Sequence, residues 1–402
     1  MPSVRLPRGK VLALGGLSSF GPLALDLYLP ALPQLTGDLR ATEAAGQLSL
    51  SVCMIGLALG QLFVGPLTDL VGRRVPLLVG VGLFAVTAGL CALAPSIELL
   101  LVLRLLAGLA GGAGLVISRA MVRDLYDGAL AARMFALLML VSSVAPVAAP
   151  LGGGLLLRVT DWRGLFATLA VIGVVLFGAA LTQAETLPVD RRRAGGLRAV
   201  GTVLREVVRD RRFLIPALVQ GIGVCGMFVY IAMASFVLQG TYGLDAQGFA
   251  IVFGVNSVAI LLVGQLGAML VGRVGPRRLL TAGVAVALLA AVAMLVGVLV
   301  SRSIWALLPS LLVLVSCTGV IMPNATALAL ADQGRSAGTA SAVIGLLQFA
   351  FAAIVPPLAS LGGVTPLGMA ITILTTAVVT ALVQFGVRVP HGDLASARTA
   401  VP

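Results

Sequence analysis

The sequence predicts an all-α membrane protein: twelve transmembrane helices in two six-helix, pseudo-symmetric bundles. Three observations carry this. Of 402 residues, 59% are hydrophobic and 10% charged, with a mean hydropathy of +1.10, whereas soluble domains carry about 25% charged residues. Apolar runs of about 20 residues, each long enough to cross a bilayer, recur at 11–33, 46–68, 75–95, 97–118, 134–157, 163–183, 213–239, 248–272, 278–300, 304–330, 337–361 and 365–386. One long polar segment, QAETLPVDRRRAGGLRAVGTVLREVVRDRRF, leaves six runs on either side. The expected division is a bundle at 1–189, a basic linker at 190–212 and a second bundle with a short tail at 213–402.

The first run follows the basic MPSVRLPRGK. It is too long for a signal-peptide core and lacks an A-x-A-like cleavage site, so it reads as a span. Inside it, LALDLYLPALP sets Asp26 among leucines beside Tyr28, and Pro30 deprives the Asp26 carbonyl of its helical N–H partner. Span two ends in GPLTDLVGRRV. There Gly65 and Gly72 permit close helix approach and a tight turn, Arg73 and Arg74 hold the turn at the cytoplasmic face, and Asp69 is the carboxylate within it. Span four carries Arg104 in RLLAGLAGGAG; at about 1.5 Å per residue it lies roughly 10–12 Å below its outer boundary, level with Asp26. Opposite charges at one depth are expected to pair or to line a watery cavity, and a purely structural salt bridge is compatible with the same spacing.

Span five, SSVAPVAAPLGGG, contains Pro146 and Pro150, which free the carbonyls of Ser142 and Pro146, followed by Gly152, Gly153 and Gly154 for tight packing. A structural kink and a gating hinge fit it equally. In the linker, Leu197, Val200, Val203, Leu204, Val207 and Val208 share a helical face, so an amphipathic surface helix and a solvated linker both fit. Spans seven and eight supply Tyr230, Phe236, Phe253 and Asn256, which with Tyr28 are candidate substrate contacts in a broad apolar cavity. Span eleven, AAIVPPLASLGGV, repeats span five 210 positions later, and GRVGPRRL after span eight echoes DLVGRRV, with Gly275 standing for Gly72. Parallel six-helix repeats are a known transporter plan.

Net charge is +12, yet with both termini cytoplasmic 22 of the 27 Lys and Arg fall on cytoplasmic segments. That asymmetry is the positive-inside rule, so the charge sets orientation and implies no nucleic-acid partner. Trp162 and Trp305 fall at outer boundaries, where amphipathic rings favour the interface. The four cysteines lie inside spans without metal-ligand spacing and read as small buried hydrophobes. No P-loop or HExxH is present and the only histidine, His391, is in the tail, so the chain is not expected to be an enzyme or to hold a metal or cofactor.

Together, GPLTDLVGRR, DLYLPALP, ISRAMVRDLY, APVAAPLGG and DWRGLF resemble the major facilitator superfamily, and within it the bicyclomycin and chloramphenicol resistance (Bcr/CflA) drug:proton antiporters. The resemblance covers the transmembrane chain and is sharper in its first half. Leu70, Ala107 and Ala145 depart from the family pattern, and Gly272 replaces the acid of the second loop copy. What the resemblance implies is a monomeric exporter of the bacterial plasma membrane, exchanging small lipophilic drugs for protons by alternating access. A proton-coupled metabolite symporter is the alternative. Asp26 and Arg104 would carry coupling, and Pro146, Pro150, Gly152 and Gly153 the hinge. Gly65, Asp69, Gly72, Arg73 and Arg74 would form the latch, with Arg123, or secondarily Arg119, as its basic partner.

Overall fold

Residues 8–126, 128–188, 207–301, 303–333 and 337–386 are described by a computed structural model of the chain. Most of the linker face read above lies outside them. The first run is not one helix. It is divided into α1 (Arg8–Ser18), α2 (Phe20–Asp26), a 3-10 turn at Leu29–Ala31 and α3 (Leu32–Asp38). Prolines open both of the latter elements, since Pro30 and Pro33 fit a first helical turn but cannot continue the preceding one.

The first half continues with α4 (Glu43–Val71), α5 (Arg74–Ala92), α6 (Ile97–Leu125), α7 (Gly128–Leu156) and α8 (Trp162–Leu181). The second holds α9 (Arg211–Ser235), which runs into a π-helical turn at Phe236–Thr241, then α10 (Ala246–Val274), α11 (Pro276–Val300), α12 (Ile304–Leu330), α13 (Ala337–Ala359) and α14 (Pro366–Gly386). Side-chain caps mark many starts: Thr42, Ser96, Asp161, Asp210, Asp245 and Ser303 each accept a backbone N–H of the first turn. Among the described residues, nine helices are long and apolar enough to cross a membrane. The remaining three of the twelve spans are the broken first run, α7 and α13. Side chains such as Phe63, Val75, Leu262, Leu289 and Trp305 point outward from the bundle surface, as a hydrocarbon solvent requires.

Small residues decide how closely the helices approach. A Cβ placed on Gly56 would stand 2.2 Å from the Leu105 carbonyl oxygen, and one on Gly108 would stand 2.1 Å from that of Cys53. Gly60 and Gly112 make the same crossing one turn on, so α4 and α6 meet through facing G-x-x-x-G pairs. Gly65, expected at a close approach, meets only Val116 at 3.6 Å. In the second half, Gly319 on α12 reaches the Ile260 carbonyl of α10 in the same manner.

The loop echo is reproduced in the backbone. Gly72 and Gly275 cap α4 and α10 with φ of 100° and 87°, a region only glycine enters freely. The span-five repeat diverges at its end: Gly153 stays inside α7, whereas Gly363 lies beyond α13 with φ 94°. Trp162 is not an interfacial ring. It is fully buried, its indole N–H donates to Asp38 Oδ2 at 2.9 Å and its backbone N–H to Gln34 Oε1 at 3.2 Å. Because Asp161 caps α8, it turns the next residue inward against α3. Trp305, at 74% exposure, keeps the outward position expected of both.

Candidate functional site

The break in the first run organises the site. Asp26 ends α2, and around this break backbone carbonyls leave the regular i+4 ladder, although Tyr28 O and Leu29 O keep 3-10 bonds from Ala31 and Leu32. Other elements satisfy them, as unwound backbone at membrane depth requires. Arg104 Nη2 donates to Ala24 O at 2.7 Å. Leu27 O lies where a Cβ of Gly153 would be, at 2.0 Å, so α7 presses its glycine onto the break. Ser235 Oγ donates to Leu29 O at 2.7 Å and Gln239 Nε2 to Pro30 O at 3.0 Å, both from the opposite half.

This corrects the expected Asp26–Arg104 pair. Arg104 is 1% exposed and makes no ion pair among the described residues. Its Nε lies 3.4 Å from Ser49 O, and its guanidinium stacks 4.4 Å over the Tyr28 ring and 5.6 Å from that of Phe166. The same depth did not bring the two groups together because the chain turns after Asp26, presenting carbonyls and an aromatic face to the arginine. Asp26 itself is 6% exposed, among the described residues no hydrogen bond or ion pair reaches its carboxylate, and its electrostatic neighbour is the Tyr230 hydroxyl of α9. It therefore sits where the halves meet.

The proposed substrate contacts separate into three sets. Tyr28 is fully buried in the first half, beneath the Arg104 guanidinium, and its hydroxyl donates to Ser49 Oγ at 2.8 Å, because Ser49 spends its own proton on Gly46 O. Tyr230, Asn256 and Phe253 form one unit, with Asn256 Nδ2 donating to Tyr230 Oη at 2.9 Å and the Tyr230 and Phe253 rings stacked at 5.5 Å. Phe236 lies apart, against Gly46 of α4.

In α7, Pro150 frees Pro146 O as expected, and the Ser257 hydroxyl of α10 lies 3.5 Å from it, across the halves. Gly154 meets Ala250 of α10, but nothing lies within 4 Å of a Cβ on Gly152, which therefore makes no tight contact. On the other flank Glu43 Oε2 accepts the Val364 N–H at 2.9 Å, and Ser360 hydrogen-bonds Gln47. The hydrogen bonds that join the halves cluster toward the end of the molecule carrying residues 38–43 and 241–246, hereafter the closed end.

At the opposite end Asp69 is 38% exposed on its side chain and is held by Arg73 of its own turn, at 2.7 Å. Arg73 is buried, with Nε on Asp124 Oδ2 at 3.0 Å and Nη1 on Thr68 Oγ1 at 2.7 Å. Thus Arg73 occupies the place expected of Arg123, which is exposed, and α6 contributes an acid rather than a base. Glu185, just past α8, completes the turn by accepting the N–H groups of Arg73 at 2.8 Å and Arg74 at 3.2 Å. A carboxylate at the N-terminus of α5 is favoured by that helix's dipole. The ETL following span six was visible in the sequence, but nothing local pointed it at a loop 112 residues away.

Burial pushes the Glu185 carboxyl upward, but the N–H groups of Arg73, Leu187, Arg74 and Thr186 together hold it below its ordinary value of 4.5. A lowered carboxylate stabilises the fold above 4.5 and loses that stabilisation as pH falls through the depressed value. Glu185→Gln is therefore expected to lower the melting temperature at pH 7 and to flatten its decline between pH 5 and 3, measured in detergent. Equal acid slopes for variant and parent would remove the assignment.

Comparison with known proteins agrees with this architecture. Residues 13–357 match the Major Facilitator Superfamily. An uncharacterized MFS-type transporter, YdgK, of Bacillus subtilis is 38% identical over 93% of this chain and 94% of its own. A bicyclomycin resistance protein homolog of Haemophilus influenzae is 29% identical over 86% and 87%, and multidrug resistance protein D of Escherichia coli is 29% identical over 93% and 95%. A solved bacterial homolog of the human lysosomal transporter Spinster, inward-facing and occupied, superposes with a TM-score of 0.72 over 93% of this chain and 95% of that one; at 16% identity it speaks to fold alone. With twelve helical spans, a repeated glycine-capped loop and these relatives, the chain belongs to the Major Facilitator Superfamily.

Proposed function

We propose that this transporter exports small lipophilic drugs in exchange for protons, with Asp26 as the proton carrier. The observation that carries the reading is the buried Asp26 carboxylate, without an ion-pair partner among the described residues, at the meeting of the two halves. A membrane-embedded carboxylate is costly and marks ion pathways. The names of the relatives, bicyclomycin resistance and multidrug resistance, support drugs over metabolites as the cargo. Tyr230, Asn256 and Phe253 provide an aromatic and polar wall beside Asp26 for such a ligand.

In this reading the abundance of Lys and Arg at the Asp69 end orients that end to the cytoplasm of a bacterial inner membrane. The closed end is then external, and the site opens inward. Asp69, released from Arg73, serves as the latch when the cytoplasmic face closes, and the Pro146–Gly153 segment of α7 bends as the hinge. Everted vesicles test the direction. Adding chloramphenicol or a lipophilic cation to vesicles holding an imposed proton gradient is expected to discharge it in proportion to the protein present. A gradient discharged by sugars or nucleosides, and by no drug, would assign the chain to metabolite symport instead.

A further inference from the structure

The closed end is joined to the broken first run by a relay of two side chains. Pro33 deprives the Leu29 carbonyl of its i+4 donor; the carbonyl accepts the Leu32 N–H of the 3-10 turn and, on its second lone pair, the Ser235 hydroxyl at 2.7 Å. Ser235 is buried and spends its proton on Leu29, so it accepts from Gln239 Nε2 at 2.8 Å, and the same amide nitrogen reaches Pro30 O at 3.0 Å. These two residues straddle the junction at which α9 widens into the π-helical turn, with its wide bond from Tyr242 N to Val237 O; beyond it Gly243, φ 71°, lets Leu244 N close back on Leu238 O. Such turns are uncommon, and they concentrate at functional sites.

We propose that Ser235 and Gln239 are gate-positioning residues: their hydroxyl–amide relay onto the Leu29 and Pro30 carbonyls holds the closed end shut and is the contact that parts each time this end opens. The relay joins flexible side chains to backbone carbonyls across the halves, so it separates without unfolding either bundle. Once separated, Leu29 O keeps the Leu32 N–H and Pro30 O faces the opening and takes water as its donor, which keeps the opened state from leaving either unpaired. Glu43 and Gln47 make the corresponding link on the other flank, to Val364 and Ser360, but there the carbonyls of a broken helix are not involved. The proposal rests on alternating access and not on which ligand is moved or which residue carries the proton.

Spin labels on Gly37→Cys in α3 and Gly240→Cys in the π turn read the separation of this end, since a Cβ at either position meets nothing within 4 Å and the four native cysteines are buried. Relative to the labelled parent, Ser235→Ala with Gln239→Leu is expected to raise the ratio of long to short distances about tenfold, equivalent to about 1.4 kcal/mol. Ser235→Thr, which keeps the hydroxyl, is expected to retain the parental distribution. Should the double variant fail to insert, Ser235→Ala alone reads the same equilibrium and is expected to shift it in the same direction. Unchanged distances in these variants, with or without a lowered melting temperature, would overturn the gate assignment and leave the relay as packing only. The labels report no transport, so loss of the Asp26 reading would leave this result standing.

Discussion

Asp26→Asn is expected to leave the protein folded and inserted while abolishing drug-induced proton movement in everted vesicles and drug resistance in cells. The amide is close in size to the carboxyl and cannot titrate. Among the fifteen acidic residues, Asp26 alone lies deep within a span, so no other carboxylate is placed to substitute. One proton moved inward gains about 2.3 kcal/mol per 100 mV of membrane potential, and at about 1.4 kcal/mol per decade this sustains a drug gradient of tens-fold. The geometry also separates this variant from Arg104→Ala. Removing the guanidinium strips Ala24 O of its donor, takes away the nearby Nε at Ser49 O and empties the space above Tyr28, at a cost of about 1–3 kcal/mol for each buried group left unsatisfied. Arg104→Ala should thus fail in folding, whereas Asp26→Asn fails in coupling. Coupled transport by a well-expressed Asp26→Asn protein would falsify the carrier assignment.

Gly108→Ala is expected to lower the stability of the detergent-solubilised protein by about 1–3 kcal/mol, the usual cost of forcing bulk into a packed interior. Its new Cβ would lie 2.1 Å from Cys53 O, 2.9 Å from Cys53 C and 3.0 Å from Leu57 N, all backbone atoms that yield only if α4 and α6 separate. Separation would also draw Ser49 O and the Tyr28–Ser49 hydrogen bond away from Arg104, coupling the crossing to the site. Gly152→Ala is the control, since nothing lies within 4 Å there, and is expected to leave stability unchanged or raise it by up to about 1 kcal/mol, the helix preference of alanine over glycine. Thermal melts of both variants decide it: equal melting temperatures would show that the α4–α6 crossing tolerates a methyl group.

Much of this architecture was legible because lipid imposes strong rules. A solvent without hydrogen bonds admits only helices here, so apolar runs report spans directly, and the glycine needed for a left-handed cap announced both repeated loops, at Gly72 and Gly275. The G-x-x-x-G pairs of α4 and α6 were equally visible, yet one helix's spacing does not say which partner it meets.

Asp26 was legible as a lone carboxylate in an apolar run, and Pro146 as a carbonyl freed by Pro150, because both follow from local covalent chemistry. What only the tertiary structure decided is where those groups turn. Equal depth suggested that Asp26 and Arg104 pair, but rotation about a broken helix gave Arg104 to carbonyls and the Tyr28 ring and left Asp26 toward Tyr230. In the same way Arg73, not Arg123, anchors the Asp69 turn, Glu185 arrives from 112 residues away, and Ser235 and Gln239 close the far end. Sequence by itself determined the solvent, the spans, the loop turns and the one acid set deep in a span, since each depends on residues near one another in the chain. Partners across helices depend on helix rotation, and in a uniformly apolar bundle no hydrophobic periodicity distinguishes one face from another.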